Sequence, residues 1–326
     1  MSCAVPLSLL LILLLAAAPA VASPSTQQPP ARKLALVPTP ATILSYHSGP
    51  LLTRPIFLYF LWYGSFTPAQ KAILSDFASS LSSPSSSSSS APAVSSWWST
   101  VSSYTDLSHT YVTSSLSLAA QASTPSPSPP TTLKKTDILS LLLSSLSSKT
   151  LPLDSNGLYF VFTADDVPVE GFCMNSCGFH SSTPPSPATK NHKLTYAWVG
   201  NPASQCPGYC AWPYALPQFG PQTTPLVSPN KDVGIESMVI NMATVLVGAA
   251  TNPFNTGFYQ GDAGAPLEAA SACTGAFGKG SYPGYPGSLL TDKKTGASYN
   301  AGGVNGRLFL LPALWSPGTQ VCNPLS

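Results

Sequence analysis

The chain has 326 residues, only 8% of them charged, and a formal net charge of +2 at pH 7. Typical globular proteins carry about 25% charged residues, so neutral polar side chains must cover much of this surface. The few basic residues are scattered and form no stripe, which argues against a nucleic-acid partner.

The N-terminus has the pattern of a cleavable signal peptide. An apolar run covers Leu7–Ala18, and small residues at Ala20 and Ala22 fit an A-x-A cleavage site. A membrane anchor is the alternative, but a transmembrane helix needs about 20 apolar residues. Residues 1–22 are therefore predicted to be removed, which leaves a secreted, extracellular protein without a membrane anchor.

The segment after the cleavage site differs in composition from the remainder. Residues 23–40 are rich in Pro, Ser and Gln and show no sustained apolar period. Such composition is typical of a flexible lead-in. We expect one folded domain over residues 41–326.

The first half of that domain alternates strand and helix patterns. The continuous apolar run Pro55–Trp62 predicts a buried strand, and Thr67-Pro68 predicts the start of a helix. A second helix carries Trp97 and Trp98 on one apolar face. Two adjacent tryptophans could form a sugar-stacking platform, but this spacing is more typical of core packing.

Further elements follow in the same alternation. A helix is predicted to begin at Thr136 or Asp137, and a long core helix, capped by Asp232, is predicted over 233–250. The predicted strands are Tyr111–Leu118, Gly157–Thr163, Leu194–Val199 and Leu308–Leu311. Interleaved strands and helices predict a single α/β or α+β domain with a mostly buried central sheet, flanking helices and long disulfide-held loops.

Six cysteines remain after signal-peptide removal. They are Cys173, Cys177, Cys206, Cys210, Cys273 and Cys322. The first four form two C-x3-C units, which could supply four thiolates to zinc. An oxidising extracellular compartment and the loop-like sequence around them favour disulfides instead. Six cysteines allow 15 pairings, among which spacing does not choose.

No catalytic motif is present. The sequence contains no HExxH, GxSxG or P-loop pattern, and we expect no cofactor and no metal. Sparse carboxylates are the remaining candidates: Asp165 and Asp166 follow a predicted strand, and Glu236, Asp262 and Glu268 lie on or after the long helix. A glycosidase needs two carboxylates at one bond, but any chain of this length offers such pairs, and caps and surface turns explain these residues better.

Several long motifs resemble one known family. The matching stretches include Tyr46–Pro50, Leu61–Gly64, Ser96–Trp98, Gly171–His180, Trp198–Asn201, Gln205–Pro213, Pro229–Asn230, Asp232–Gly234, Thr251–Pro253, Tyr299–Asn300 and Gly306–Arg307. On these motifs the sequence resembles the EXORDIUM / phosphate-induced protein family of plants, and most closely its EXORDIUM branch. The resemblance covers nearly everything from about residue 41 to the C-terminus.

The resemblance implies an apoplastic protein linked to cell expansion and to brassinosteroid-responsive growth, with no established enzymatic activity. We therefore expect a non-catalytic extracellular protein whose partner is an unidentified cell-wall component or receptor. One alternative is a carbohydrate-binding protein that stacks sugars on Trp97, Trp98, Trp212, Tyr282 and Tyr285. The other is a wall hydrolase that uses carboxylates such as Asp165 and Glu268.

The long helix carries one further comparison with the family. Some relatives resemble a zinc-binding helix there, with the pattern His-Glu-x-x-Glu, whereas this chain has Thr244, Val245 and Gly248 at the equivalent positions. None of these side chains binds zinc usefully. We hypothesise a zincin-like helix without the metal. For the disulfides, we expect Cys273 to pair with Cys322 and the two C-x3-C units to bridge each other.

Overall fold

The computed structural model describes residues 42–83 and 92–325 of the chain. The predicted signal peptide (1–22) and lead-in (23–40) lie outside these residues.

A five-stranded sheet forms the centre of the fold. Its strands are β2 (Ile56–Tyr63), β3 (Leu116–Thr124), β4 (Gly157–Thr163), β5 (Gly178–Ser182) and β6 (Thr195–Gly200). The spatial order is β3-β2-β4-β6-β5, and only β5 runs antiparallel to its neighbour. The mixed α/β architecture with a buried central sheet is therefore confirmed.

Side chains of the central strands alternate between two hydrophobic layers. Phe60 on β2 and Phe160 on β4 pack into the layer that contains the long helix, whereas Tyr59 and Tyr159 pack into the opposite layer. Successive residues of a strand point to opposite faces, so a strand covered on both sides must be apolar throughout. This requirement explains the continuous apolar run that predicts β2.

Helices cover both faces of the sheet. They are α1 (Pro68–Ser80), α2 (Val94–Val101), α3 (Lys135–Ser147), α4 (Pro207–Cys210) and α5 (Val233–Thr251). As predicted, Thr67 caps α1, and its Oγ1 accepts from the Gln70 N–H at 3.2 Å. Asp232 caps α5, where its Oδ1 accepts from the Ile235 N–H at 3.0 Å.

The remaining elements are short. Two-residue strands occur at Ser45–Tyr46 (β1), Phe258–Tyr259 (β7), Leu290–Thr291 (β8), Ser298–Tyr299 (β9), Ala301–Gly302 (β10), Leu308–Phe309 (β11), Leu314–Trp315 (β12) and Cys322–Asn323 (β13). Single 3-10 turns cover Pro187–Thr189, Ser271–Cys273 and Val304–Gly306.

Three predicted boundaries are corrected. Helix α3 begins at Lys135, because the Asp137 carboxylate lies inside the first turn and accepts from the Lys134 N–H at 2.8 Å. The strand predicted over Tyr111–Leu118 corresponds to β3, which begins five residues later, at Leu116. The predicted Leu308–Leu311 strand ends at Phe309, and the Leu311 N–H then donates to the Asn300 side chain instead of a strand.

The pair Trp97 and Trp98 does not form a surface platform. The two side chains are 2% and 1% exposed. Each indole N–H donates inside the protein, from Trp97 to the Pro312 carbonyl at 2.8 Å and from Trp98 to the Thr113 carbonyl at 2.9 Å. The proposed sugar-stacking role of these two residues is therefore wrong, since both rings pack in the core.

Helix α5 is the core helix of the layer it occupies. Among the described residues it alone is long and apolar enough to cross a membrane, but 83% of its apolar window is buried inside the protein. It packs against α1, β5 and β6. This burial explains its composition without a bilayer, as the sequence predicts.

Three disulfides close the loops. They join Cys173 to Cys206, Cys177 to Cys210 and Cys273 to Cys322, which is the expected pairing. The first two bridges tie the loop before β5 to the segment around α4. Both segments border the cleft that lies beside α5.

Candidate functional site

A cleft of about 710 Å³ opens beside α5. Thr244 and Val245 of α5 form its floor, His180 of β5 lines one side, and Glu268 and Ser271 line the other. Because α5 packs against β5, the open part of the helix surface lies between that edge strand and the chain after β7. We call this space the dyad cleft after its His180–Glu268 pair, which joins residues 88 positions apart in sequence.

The central feature of the dyad cleft is a His180–Glu268 pair. His180 Nε2 lies 2.9 Å from both carboxylate oxygens of Glu268, and the two side chains are 7% and 12% exposed. This geometry suits donation from a protonated Nε2 to the carboxylate oxygens. His180 Nδ1 is buried and has no hydrogen-bond partner among the described residues.

The side-chain carboxylate and the backbone N–H of Glu268 each make a further hydrogen bond. The Asn252 Nδ2 group donates to Oε1 at 2.7 Å, and the Glu268 N–H donates to Ser271 Oγ at 2.7 Å. Asn252 directly follows α5, and its Oδ1 accepts from the Gly257 N–H at 2.7 Å. The carboxylate is therefore oriented by side chains at the C-terminal end of the helix.

Gly248 makes this arrangement possible. A Cβ atom at position 248 would overlap Glu268 Oε2 and would lie 2.9 Å from His180 Nε2. The pair thus packs directly onto the backbone of α5. Any side chain at this position would displace the pair, which is a packing reason for glycine in the middle of a helix.

The positions compared with a zinc-binding helix all face this cleft. Thr244 and Val245 line it, and Gly248 lies beneath the His180–Glu268 pair. The Thr244 hydroxyl donates to the Ile240 carbonyl at 2.9 Å. Within the described ranges no group of three His, Cys, Asp or Glu residues could hold a metal ion.

A second cleft of about 410 Å³ continues along α5. It shares Thr244, Val245 and Ser271 with the dyad cleft and extends to Tyr209 and Trp212. We call it the neutral cleft because none of the described residues that line it is charged. The Cys177–Cys210 disulfide forms part of its wall, and so does Cys273 of the third disulfide.

The structure separates the two carboxylates of the hydrolase hypothesis. Glu268 lines the dyad cleft, whereas Asp165 follows β4 and lines neither cleft. The Asp165 backbone carbonyl accepts from Gln205 Nε2 at 2.9 Å, which orders that turn. Asp166 is exposed, and Asp262 accepts from the Gly264 N–H at 2.7 Å in an exposed turn.

Glu236, another carboxylate considered from the sequence, lies in the first turn of α5 and is 1% exposed. Its Oε1 accepts from the Asn230 N–H at 2.7 Å and from Ser228 Oγ at 3.3 Å. Burial raises the pKa of Glu236 to about 7. This side chain lines neither cleft and connects the loop before α5 to the helix.

Of the predicted aromatic candidates, Trp212 alone is among the described residues that line the dyad cleft or the neutral cleft. Tyr282 and Tyr285 are 64% and 37% exposed and pack against each other with ring centroids 5.1 Å apart, outside both clefts. No sequence pattern predicts His180 or Asn241 as cleft residues, or Asn252 as the buried amide that donates to Glu268. His180 closes the motif Gly171–His180, but a partner 88 residues away leaves no periodic signal.

These features define a disulfide-bonded α/β protein with a two-part cleft beside a buried core helix. The chain belongs to the EXORDIUM / phosphate-induced protein family: the family model described as the phosphate-induced protein 1 conserved region matches residues 44–325. No solved structure matches the chain.

Curated relatives agree with this assignment. Protein PHOSPHATE-INDUCED 1 of Nicotiana tabacum is 50% identical over 90% of this chain and 93% of its own length. Protein EXORDIUM of Arabidopsis thaliana is 46% identical over 90% of this chain and 93% of its own length. Protein EXORDIUM-like 2 of Arabidopsis thaliana is 46% identical over 89% and 92%, respectively.

Proposed function

We propose that the chain is a secreted, non-catalytic protein of the apoplast that promotes cell expansion by binding a cell-wall component or a receptor. The growth role, including its link to brassinosteroid response, comes from the family resemblance. The signal-peptide pattern and the three disulfides support secretion, because disulfides persist mainly in oxidising compartments.

The proposal that the protein is non-catalytic rests on the hydrogen bonds and the burial of the His180–Glu268 pair. A general acid or base must reach a substrate proton, but His180 Nε2 is directed at Glu268 and His180 Nδ1 is buried. Glu268 in turn receives the Asn252 amide. His180 Nε2 and both Glu268 oxygens are thus used within the protein, and His180 Nδ1 is buried, which favours a structural role at the cleft.

The experiment expresses the tagged full chain in plant cells and measures apoplastic protein and organ elongation. We expect the wild type in the apoplast and increased elongation. A matched chain without residues 2–22 should stay inside the cell and give no increase. Equal elongation by the two chains would contradict an extracellular site of action.

The hydrolase alternative is tested in the same assay. Asp165→Asn and Glu268→Gln remove the two carboxylates while they keep the side-chain size. We expect both folded variants to promote elongation as the wild type does. Loss of elongation in both, with normal secretion and an unchanged circular dichroism spectrum, would support the hydrolase and overturn the non-catalytic proposal.

A further inference from the structure

We propose that the neutral cleft binds an extended, uncharged polysaccharide chain, with Trp212 as the sugar-stacking side chain. This inference rests on the proposed function, since it names the chemical class of the wall component. It differs from the platform expected from the sequence, because it excludes the core residues Trp97 and Trp98 and the outlying Tyr282–Tyr285 turn.

The position of Trp212 is the first observation. One side of its indole is supported by Phe277, with ring centroids 5.9 Å apart, and Gly275 packs against the six-membered ring. The side chain is nevertheless only half-buried and lines the cleft. A partly exposed aromatic ring held by its neighbours suits contact with the apolar face of a sugar ring.

The indole N–H of Trp212 is the second observation. The indole N–H groups of four core tryptophans, Trp62, Trp97, Trp98 and Trp198, donate to protein acceptors, whereas that of Trp315 is buried without a partner among the described residues. Trp212 makes no such bond within the described ranges, and it borders open space. It can therefore donate to a ligand hydroxyl or ring oxygen.

Asn241 adds an acceptor on the floor of the same cleft. Its Nδ2 group is used within the protein, where it donates to the Ser237 carbonyl at 2.8 Å and to the Cys210 carbonyl at 3.3 Å. These bonds fix the amide and leave its carbonyl oxygen to accept. A fixed donor and a fixed acceptor beside an aromatic ring are the polar groups that orient a polyhydroxylated ligand.

The charge of the two clefts selects an uncharged ligand. Over residues 42–83 and 92–325, the wall of the neutral cleft contains no Lys, Arg, Asp or Glu. In the dyad cleft, Lys135 lies over the Phe179 ring at 5.0 Å from Nζ to the centroid, and Glu268 is held by His180. An acidic polymer would find no row of cations to pair its carboxylates.

The shape of the site selects an extended ligand. Sections of about 710 and 410 Å³ join at Thr244 and Ser271, so the open space runs along α5 and is not a single closed chamber. Small apolar ligands are usually enclosed on most of their surface. A polymer segment of several sugar units fits a continuous surface of this kind better.

The test is calorimetric titration of the full secreted chain with two probes, a neutral β-glucan hexasaccharide and a galacturonate hexasaccharide. We expect binding of the neutral probe and none of the acidic one. Trp212→Ala should weaken binding by about tenfold or more, and Trp212→Phe should retain part of it. Tyr282→Ala, which removes an exposed aromatic ring outside the cleft, is the matched control and should bind as the wild type does.

Thr274→Arg keeps the test decisive where Trp212→Ala fails to fold. Thr274 is exposed at the neutral cleft, so a bulky cation there should obstruct the ligand and leave the core intact. Wild-type binding of galacturonate alone, or binding lost in Tyr282→Ala and kept in both cleft variants, would overturn the inference. So would a site that takes a peptide and no sugar.

The same preparation separates this inference from the proposed function. A wild-type protein that promotes elongation without binding the neutral probe would overturn the polysaccharide site alone. A protein that binds the probe through Trp212 but neither leaves the cell nor affects elongation would overturn the growth role alone.

Discussion

The two ends of α5 each bury a carboxylate, and they satisfy it differently. Glu236, in the first turn, receives the Asn230 N–H and the Ser228 hydroxyl, and it makes no ion pair within the described part of the chain. Glu268, beside the last turns, receives His180 Nε2 and Asn252 Nδ2. The first site is held by neutral groups of a local loop, and the second by side chains from distant elements.

This difference determines what each site is sensitive to. At Glu236 the loss of water outweighs the neutral donors, so its pKa is raised to about 7 and the site responds to pH. At Glu268 the geometry depends on the absence of a side chain at Gly248. That site is therefore sensitive to substitution at position 248.

The largest expected effect comes from Glu268→Ala. The change leaves His180 Nε2–H and Asn252 Nδ2 without their acceptor in a largely buried place. We expect the free energy of unfolding to fall by about 3–4 kcal/mol, as measured by urea denaturation. Asp262→Ala, in an exposed turn, is the control and should change it by about 0.5 kcal/mol or less. Equal effects of the two substitutions would contradict the assigned role of the pair.

The next effect is a pH dependence at Glu236. A raised native pKa means that the folded protein binds this proton more tightly than the unfolded chain does. The stabilisation is therefore complete below the ordinary pKa of 4.5 and is lost as pH rises toward about 7, by on the order of 3 kcal/mol in total.

Glu236→Gln isolates this contribution because it keeps the acceptor for the Asn230 N–H and cannot titrate. The free energy of unfolding of the wild type, minus that of the variant, should decrease between pH 4.5 and 7. Other carboxylates cancel in this difference. A flat difference curve would show that burial of Glu236 does not control its protonation.

Gly248→Ala tests the packing at the other end. In an open helix position this change stabilises by about 1 kcal/mol through helix propensity. Here we expect destabilisation by about 2 kcal/mol, because the new Cβ displaces the His180–Glu268 pair. The measurement is the sign of the change in the free energy of unfolding. A stabilised variant would show that a Cβ atom at position 248 does not displace Glu268 and His180.

A double-mutant cycle sharpens this result. In the background of Glu268→Ala the space next to position 248 is open on the carboxylate side. Gly248→Ala should then cost less than it does in the wild type. Additive effects of the two substitutions would show that they do not meet at this point.

The smallest effect is expected away from α5, at Tyr282→Ala. This side chain is 64% exposed and contacts mainly Tyr285. The free energy of unfolding should change by no more than about 0.5 kcal/mol. A larger loss of stability would disqualify the variant as the control for ligand binding.

The sequence predicts the parts of the fold that rest on local patterns. Uninterrupted apolar runs give β2 and β4, and the cap residues Thr67 and Asp232 give the starts of α1 and α5. The start of β3 is shifted, because this edge strand is only partly buried and its apolar alternation is weak.

The site is harder to predict than the fold, for a physical reason. His180 and Glu268 are 88 residues apart, and the Asn241 and Trp212 side chains meet at one cleft only after α4 and α5 have packed. No periodicity in sequence records such a contact. From the sequence, Gly248 is recognised only as a position where some relatives have a possible zinc ligand. Its packing against His180 and Glu268 is recognised only from the structure.

The most direct test of the cleft is an NMR titration of the 15N-labelled protein with the neutral hexasaccharide. We expect the chemical shifts of the Trp212 indole N–H and the Asn241 side-chain amide to change progressively, while those of the Trp97 and Trp98 indole groups stay unchanged. Shifts confined to amides around Tyr282 and Tyr285, or no shifts at saturating hexasaccharide, would contradict this expectation.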